Sequence, residues 1–435
     1  MDDYQSWGRY PQVTQSVLGF NWRGDKLPTL SGKSILAQGF CRSYGDSCLN
    51  ENNVVLSTRA LDRMIAFDPA SGVLRCESGV SLEQILNLAV PQGWFLPVTP
   101  GTKFVSVGGA IANDVHGKNH HRAGTFGRHV RAFELLRSDG SRRVCSERSD
   151  GGLYAATIGG LGLTGVITWA EIQLRPILNP FIEMESIKFR SLEEFFQISA
   201  DSDRNFEYTV AWLDCVSSGS AFGRGIFMRG NHSRSENDKT RKIPGRQKLV
   251  VPLDFPAWAL NRLSVKAFNT LYYGKQVARE KKSSVYYDPF FYPLDAVLQW
   301  NRIYGKNGLV QFQCVVPVQG GHQAIREILA TIVASGQASF LAVLKEFGAI
   351  SSPGILSFPR PGVTLCLDFA MRGERTLALL QRLDQMVAQA GGAMYPAKDA
   401  LMRAENFKSY YPRWAEFAEY VDSQISSSFW RRVSR

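Results

Sequence analysis

Three stretches of small residues hold the groups best suited to cradle a flat, anionic ligand. In the first, Gly39-Phe40-Cys41-Arg42-Ser43-Tyr44-Gly45-Asp46, glycines beside Ser, Arg and Asp make a turn whose backbone N–H groups can face a pyrophosphate, with Arg42 adding charge. Alone, it also reads as an ordinary structural turn. The second runs from Thr99-Pro100-Gly101-Thr102 to Ser106-Val107-Gly108-Gly109-Ala110-Ile111-Ala112-Asn113-Asp114-Val115-His116-Gly117; its Gly and Ala let a ligand lie against the backbone, and it ends in a polar His. The third, Gly160-Leu161-Gly162-Leu163-Thr164-Gly165, satisfies G-x-G-x-x-G, but a dinucleotide fingerprint must open a helix. Residues 166–174 alternate as a strand, so the Rossmann reading is rejected.

Four of the six histidines fall between residues 116 and 129, which raises a metal site as a competitor. No carboxylate or Cys stands at a convincing ligand offset, and adjacent His120 and His121 cannot readily share one ion, so no metal is expected. Cys366 lies in an apolar strand, where a buried structural thiol is the usual case. Lys398 follows a Gly-Gly turn and an aromatic, where a solvated Lys is the default, and His116 could simply cap a loop. Gln311 and Gln313 share one face of the strand at 309–316.

The elements that must position these residues come in two styles. Up to about residue 175 the chain is Gly-rich, with short β-type runs at 34–37, 54–57, 73–77 and 166–174 and one helix at 81–89, where Ser81 is the N-cap. A boundary is placed at 176–180. Beyond it come strand, helix (191–200) and strand up to 216, then strands at 309–316, 338–347 and 362–369, a helix at 375–390 and a second helix entry near Asp399. Strands from distant stretches mixed with helices suggest a sheet covered by helices on one side. Residues 229–248 are charged and almost without apolar content, the composition of a mobile loop. Residues 249–273 carry aromatics, leucines and basic residues in a partly amphipathic pattern, which suits a helix packed on its own domain or an apolar ligand or membrane surface.

With 435 residues, 44% of them hydrophobic and 20% charged, the chain has room for two large domains and is too long for a single small binding module. Fifty Lys plus Arg against 39 Asp plus Glu leave +11, an excess that suits anionic partners or solubility alone. No finger, RNP or basic-helix motif supports nucleic acid. Seven cysteines without C-x-x-C read as reduced thiols in a reducing compartment, and Cys41 and Cys48 are not expected to pair. The acidic start, Met1-Asp2-Asp3-Tyr4, does not read as a secretory signal, and without a spanning segment any membrane contact must be peripheral.

The three stretches in this order, covering residues 28–175, resemble the flavin-binding domain of the vanillyl-alcohol oxidase, or p-cresol methylhydroxylase, family of FAD-linked oxidoreductases. Residues 99–127, 356–369 and 395–399 narrow the match to members that oxidise a polyprenyl (decaprenyl)-phosphate-linked ribose. The resemblance implies an α+β, two-domain fold of the p-cresol methylhydroxylase type. Residues 1–178 begin the FAD-binding domain and 393–435 return to it; 179–392 form an inserted substrate domain on an antiparallel sheet.

It further implies FAD held by Ala37, Gln38, Gly39, Phe40, Cys41, Arg42, Ser43, Tyr44, Gly45, Asp46, Ser47, Gly101, Ser106, Val107, Gly108, Gly109, Asn113, Asp114, Val115, His116, Ile167 and Tyr395. Tyr44, Lys118, Gln311, Gln313, Lys345, Cys366 and Lys398 match the substrate pocket, with Gln313 nearer than Gln311. Lys118 and Lys345 would hold a phosphate, and Lys398, His116 and Cys366 would be catalytic, Lys398 by stabilising reduced flavin. Many relatives tether FAD through a His in the first loop; residues 38–50 contain none, so FAD is expected without a covalent bond. The implied reaction oxidises a ribose hydroxyl to a ketone, and a short-chain reductase then completes an epimerisation to arabinose. With the acidic start as the only guide, the expected place is the cytoplasm, peripherally at the inner membrane, with the periplasmic face left open. An alditol or aldonolactone oxidase of a soluble sugar is the alternative.

Overall fold

In strands, successive side chains point to opposite faces, and that alternation organises the second half of the chain. A computed structural model describes residues 4–235, 249–256 and 258–435. Its largest sheet has eight antiparallel strands in the order Glu280–Tyr286, Phe181–Phe189, Gly225–His232, Tyr208–Leu213, Ala342–Phe347, Gly362–Ala370, Leu309–Val316 and Ala393–Met394. On one face, Val310, Phe312, Cys314, Leu344, Leu365, Leu367 and Phe369 are buried against the helices Val318–Ser335 and Glu374–Gln389 through Ile325, Leu329, Ile332, Leu379 and Leu383. The opposite face carries Gln311 opposite Asp368, Gln313 opposite Cys366, and Lys345 opposite Thr364.

The first half builds two smaller sheets. Ser16–Gly19, Val54–Ser57 and Ile35–Gln38 pair in parallel; Met64–Asp68, Val73–Glu77, Val166–Gln173, Val130–Leu136 and Arg142–Cys145 pair antiparallel. The helix Leu82–Ala89 starts at a capping box in which Ser81 and Gln84 satisfy each other's backbone N–H. Residues 160–165 enter the strand Val166–Gln173, and Gly165 turns with φ +151° where a Cβ would strike Leu135.

The C-terminal end is stitched to the first sheet. Ile35 N–H donates to Gln424 O, Ser426 N–H to Ile35 O and Ser428 N–H to Leu49 O. Arg432 binds Asp46 at 2.7 Å and Asp399 at 2.9 Å. Ala393–Met394 still belongs to the large sheet, so the return begins after it.

Several expected boundaries move. The strand expected from residue 338 starts at Ala342, because Ser339 Oγ turns the preceding loop by accepting Leu341 N–H and Asp368 N–H. The expected mobile loop begins too early. Arg229 lies inside the strand Gly225–His232, paired across to Glu185 at 2.7 Å, while residues 236–248 of that stretch lie outside the described residues. Asp399 does not open a helix; its carboxylate accepts the N–H groups of Leu401 and Met402 in a turn, and the helix is Ala404–Tyr410. All seven cysteines are free thiols. Among the described residues no helix is long and apolar enough to cross a membrane.

Candidate active site

The loop after Ile35–Gln38 and the start of the helix Val107–Ala112 approach each other at backbone distance. A Cβ on Gly39 would overlap Ser106 Oγ, and one on Gly45 would overlap the carbonyl of Asp399. Ser106 caps the helix by accepting Gly109 N–H at 3.2 Å, and Gly108 packs against Ser78. Around this cradle, Gln38 Oε1, Ser47 Oγ and Ser78 Oγ are buried without a hydrogen-bond partner. Buried polar atoms are normally paired. A narrow, glycine-walled cradle with two unpartnered hydroxyls able to donate, Ser47 and Ser78, fits the pyrophosphate-bearing part of FAD, whereas the Gln38 oxygen can only accept.

Not every residue of the loops faces this cradle. Arg42 donates from Nε to Phe104 O at 3.2 Å and stacks 4.1 Å above Trp7, so its guanidinium is positioned by these two residues. Asp46 is taken by Arg432, which makes it a clasp between loop and C-terminus. The Gln38 amide donates to Cys48 O, and Ser43 O accepts Trp7 N–H. Cys41 holds φ +55° and its Sγ meets Arg59, whose Nε donates to Gly39 O. Gly101 is exposed with nothing near its Cβ position, and Ala37 and Phe40 are half-buried.

Asp114 is fully buried; Oδ1 accepts Gly127 N–H at 2.8 Å and Oδ2 accepts the hydroxyls of Ser352 and Ser357. It therefore ties the second loop to the segment that precedes the strand Gly362–Ala370. Asn113 donates to Gly109 O and its own carbonyl accepts Tyr395 Oη at 2.8 Å. Val115 is half-buried beside them, and Val107 and Ile167 are buried.

His116 is where the two halves meet. Lys345 Nζ stands 2.9 Å from its Nδ1 and donates to Gly117 O at 2.9 Å, and the Gln313 amide end lies 3.0 Å from its Nε2. Phe347 packs edge-on at 4.9 Å, and Tyr395 lies 5.7 Å away, itself stacked on Phe358. Burial, then the Lys345 charge, holds the imidazole well below its usual range, so it is neutral. Burial brings Lys345 to about 7. An ammonium has no acceptor, so beside a charged Lys345 the His116 proton sits on Nε2 and Gln313 presents its carbonyl oxygen.

A second group lies along the same sheet face. Lys398 stands 3.9 Å above the Tyr44 ring and is lowered by burial to about 8. Gln311 donates to Asp368 Oδ1, leaving Asp368 Oδ2 buried and unpartnered. Burial raises Asp368 to about 7 and Cys366 to about 12, the thiol pushed further by Asp368. Lys118, lowered to about 8 by burial, donates to Phe290 O at 2.6 Å rather than standing free for a phosphate.

Sequence reading missed Asp368, Tyr304 and His120. Asp368 follows Cys366 by two residues on one strand, so the alternation that paired Gln311 with Gln313 points to it as well. Tyr304 Oη is buried without a partner and comes from a short helical turn, Trp300–Tyr304, that carries no motif. His120, weighed in the sequence only as a metal ligand, packs against Phe347 at 4.6 Å and 50° with both ring nitrogens unpartnered.

Comparison with known proteins agrees with this geometry. The FAD binding domain family matches residues 28–146. The decaprenylphosphoryl-beta-D-ribose oxidase of Mycolicibacterium smegmatis is 37% identical over 434 residues, 96% of this chain and 93% of the relative. An uncharacterized Streptomyces coelicolor protein is 34% identical over 351 residues, 78% of this chain and 94% of its own. The Delta(24)-sterol reductase of Rattus norvegicus is 29% identical over 130 residues, 30% of this chain and 25% of its own. FAD is the cofactor, and the protein is an FAD-dependent oxidoreductase of α+β fold. Similarity that runs across nearly the whole of both chains carries more than a shared cofactor domain does, and by it the chain belongs to the decaprenylphosphoryl-beta-D-ribose oxidase family.

Proposed function

We propose that the protein oxidises a polyprenyl-phosphate-linked ribose at its 2-hydroxyl to the ketone, and that a separate short-chain reductase then delivers hydride from the other face to give the arabinose epimer. The observation that carries this reading is the polar sheet face of Gln311, Gln313, Lys345, Cys366 and Asp368 set against His116, with Lys118 and Lys398 beside it. The Lys345 and Lys398 amines suit an anionic sugar phosphate, and the amide and carboxyl groups suit its hydroxyls. On this reading residues 1–178 and 395–435 hold FAD and residues 179–394 hold the substrate.

FAD when bound supplies a hydride acceptor. The glycine cradle from Gly39 to Gly45 and Ser106 to Gly109 would hold its pyrophosphate, with His116 and Tyr395 along the ring. Lys345 and Asp368 both titrate near 7, so at neutral pH either can take the hydroxyl proton. The Lys398 ammonium stabilises negative charge that develops beside it, in a site where burial strengthens the interaction. The cofactor is held without a covalent bond. Burial holds the Cys48 thiol well above its usual range, and no His lies in the first loop. Acid precipitation leaves the yellow colour in the supernatant; colour in the pellet would overturn this.

The substrate reading is tested by anaerobic stopped-flow bleaching of the flavin. A prenylphosphoryl ribose reduces it at least tenfold faster than free ribose, alditols or aldonolactones. Equal reduction by a soluble sugar would replace this reading with a soluble-sugar oxidase.

A further inference from the structure

We propose that the helix Arg262–Lys275, with residues 249–256 and Trp258 that lead to it, is the surface by which this enzyme docks on an anionic lipid bilayer. The proposal rests on the prenyl-phosphate reading of the substrate and gives it a place to enter from. Ten of the sixteen large apolar side chains exposed among the described residues lie between 249 and 277. Single exposed leucines are ordinary, whereas such a concentration marks an interaction surface. Leu253, Trp258, Leu263 and Leu271 are each between 75% and 78% exposed.

The helix is oriented against the usual rule that an apolar stripe faces the core. Its buried side chains are Val265 and Asn269, the latter donating to Asp214 at 3.0 Å. At 3.6 residues per turn, Leu263, Ala267 and Leu271 then point away from the protein. Arg262 and Lys266 border this stripe on one side and Lys275 on the other, and the helix contains no acidic residue. An outward apolar stripe flanked by cations is the arrangement of a helix lying in a bilayer interface, with its charges at headgroup level. A neutral protein partner would leave those three cations unanswered; an anionic headgroup layer answers them.

The surface is also continuous with the reaction centre. Lys398 stands over Tyr44, whose ring lies 6.5 Å from Trp300; Trp300 lies 6.2 Å from Tyr304, Tyr304 5.7 Å from Phe340, and Phe340 5.7 Å from Phe268 on the docking helix. A continuous run of packed aromatic side chains thus connects the docking helix with the reaction centre.

The test uses the FAD-loaded full chain with vesicles of phosphatidylglycerol and phosphatidylcholine, or of phosphatidylcholine alone. The unmodified protein sediments with the first and at least about tenfold more weakly with the second, and added salt narrows the difference. Leu263→Asp with Leu271→Asp weakens vesicle binding at least tenfold, while Arg262→Glu with Lys266→Glu removes the anionic preference. Both variants keep their FAD and the unmodified rate of flavin reduction by a short-chain prenylphosphoryl ribose in solution. Absence of vesicle binding by the unmodified protein, or equal binding by the Leu263→Asp/Leu271→Asp variant, overturns the proposal. So does a dimer that this variant dissociates, which would assign the surface to a second copy of the chain. Failure of every prenyl sugar to reduce the flavin, with vesicle binding as stated, removes the substrate reading and leaves the docking surface standing.

Discussion

On the strands Leu309–Val316 and Gly362–Ala370, Phe312, Cys314, Leu365 and Leu367 are sealed beneath two helices, while their immediate neighbours Gln311, Gln313, Cys366 and Asp368 face His116 and Lys398. Both faces are buried, yet burial does different work on each. On the helix side it removes apolar surface from water and stabilises the fold. On the other side it moves amines down and a carboxyl up until they titrate near neutrality, which is what proton transfer at pH 7 requires. Changes on one face should therefore alter stability with little effect on chemistry, and changes on the other the reverse.

The largest expected effect breaks the apolar face. Phe312 is completely buried, and Phe312→Ala should cost about 3–5 kcal/mol in urea denaturation. The fraction that remains folded should reduce its flavin at the unmodified rate. A loss of rate in well-folded protein would show that the two faces are coupled.

Next in size is the converse. Lys398→Ala should slow flavin reduction by about one to three orders of magnitude, each tenfold being about 1.4 kcal/mol of barrier. Its unfolding free energy in urea should change by less than about 1 kcal/mol, because removing a desolvated amine also removes its desolvation cost. Lys398 is brought to about 8, so the rate should fall as pH rises through that value. Lys398→Arg keeps its charge and should carry its activity to higher pH. Unmodified single-turnover reduction in Lys398→Ala would remove this residue from the reaction.

A smaller effect separates the two sides by pH. Lys345 is lowered to about 7 in the folded protein from an ordinary 10.5. Between those values the unfolded chain binds the extra proton, so this residue makes stability rise with pH, by at most about 1.4 kcal/mol per unit. Asp368, raised from 3.8 to about 7, acts oppositely, and its contribution falls with rising pH between those limits. Comparing the unmodified protein with Lys345→Met should show the alkaline rise lost, and with Asp368→Asn the acid-side fall lost. Parallel curves for all three proteins would place these groups in contact with water.

How much of this was legible beforehand follows from what is local. The alternation of 309–316 and 362–369, the cap at Ser81 and the strand after Gly165 are written in neighbouring residues, and they matched. Asp46 and Asp399 meeting on Arg432 joins positions hundreds of residues apart, which no spacing reveals. The outward face of Arg262–Lys275 was open for the same reason, since an amphipathic pattern does not say which side the protein occupies. Arg42 reads as a phosphate ligand from its loop, but that Trp7 and Phe104 lie against its guanidinium is set by folding and not by spacing.

The smallest effect is expected at Cys366, which lies on the reactive face and by position alone looks like a participant. Its thiol is pushed up to about 12 by burial and by Asp368, against the opposing pull of Lys398 and Lys345, so at neutral pH it carries no charge. A neutral thiol is a poor base and a poor nucleophile; what remains for it is to fill the wall between Gln313 and Val343. Serine has nearly the same shape, so Cys366→Ser should change the flavin reduction rate by less than about threefold, under about 0.7 kcal/mol of barrier. Iodoacetamide should label Cys366 slowly at pH 7 in the folded protein. A tenfold or larger loss of rate in the serine variant, with FAD content intact, would make the thiol part of the chemistry and would mean that the reactive face tunes it toward the thiolate after all.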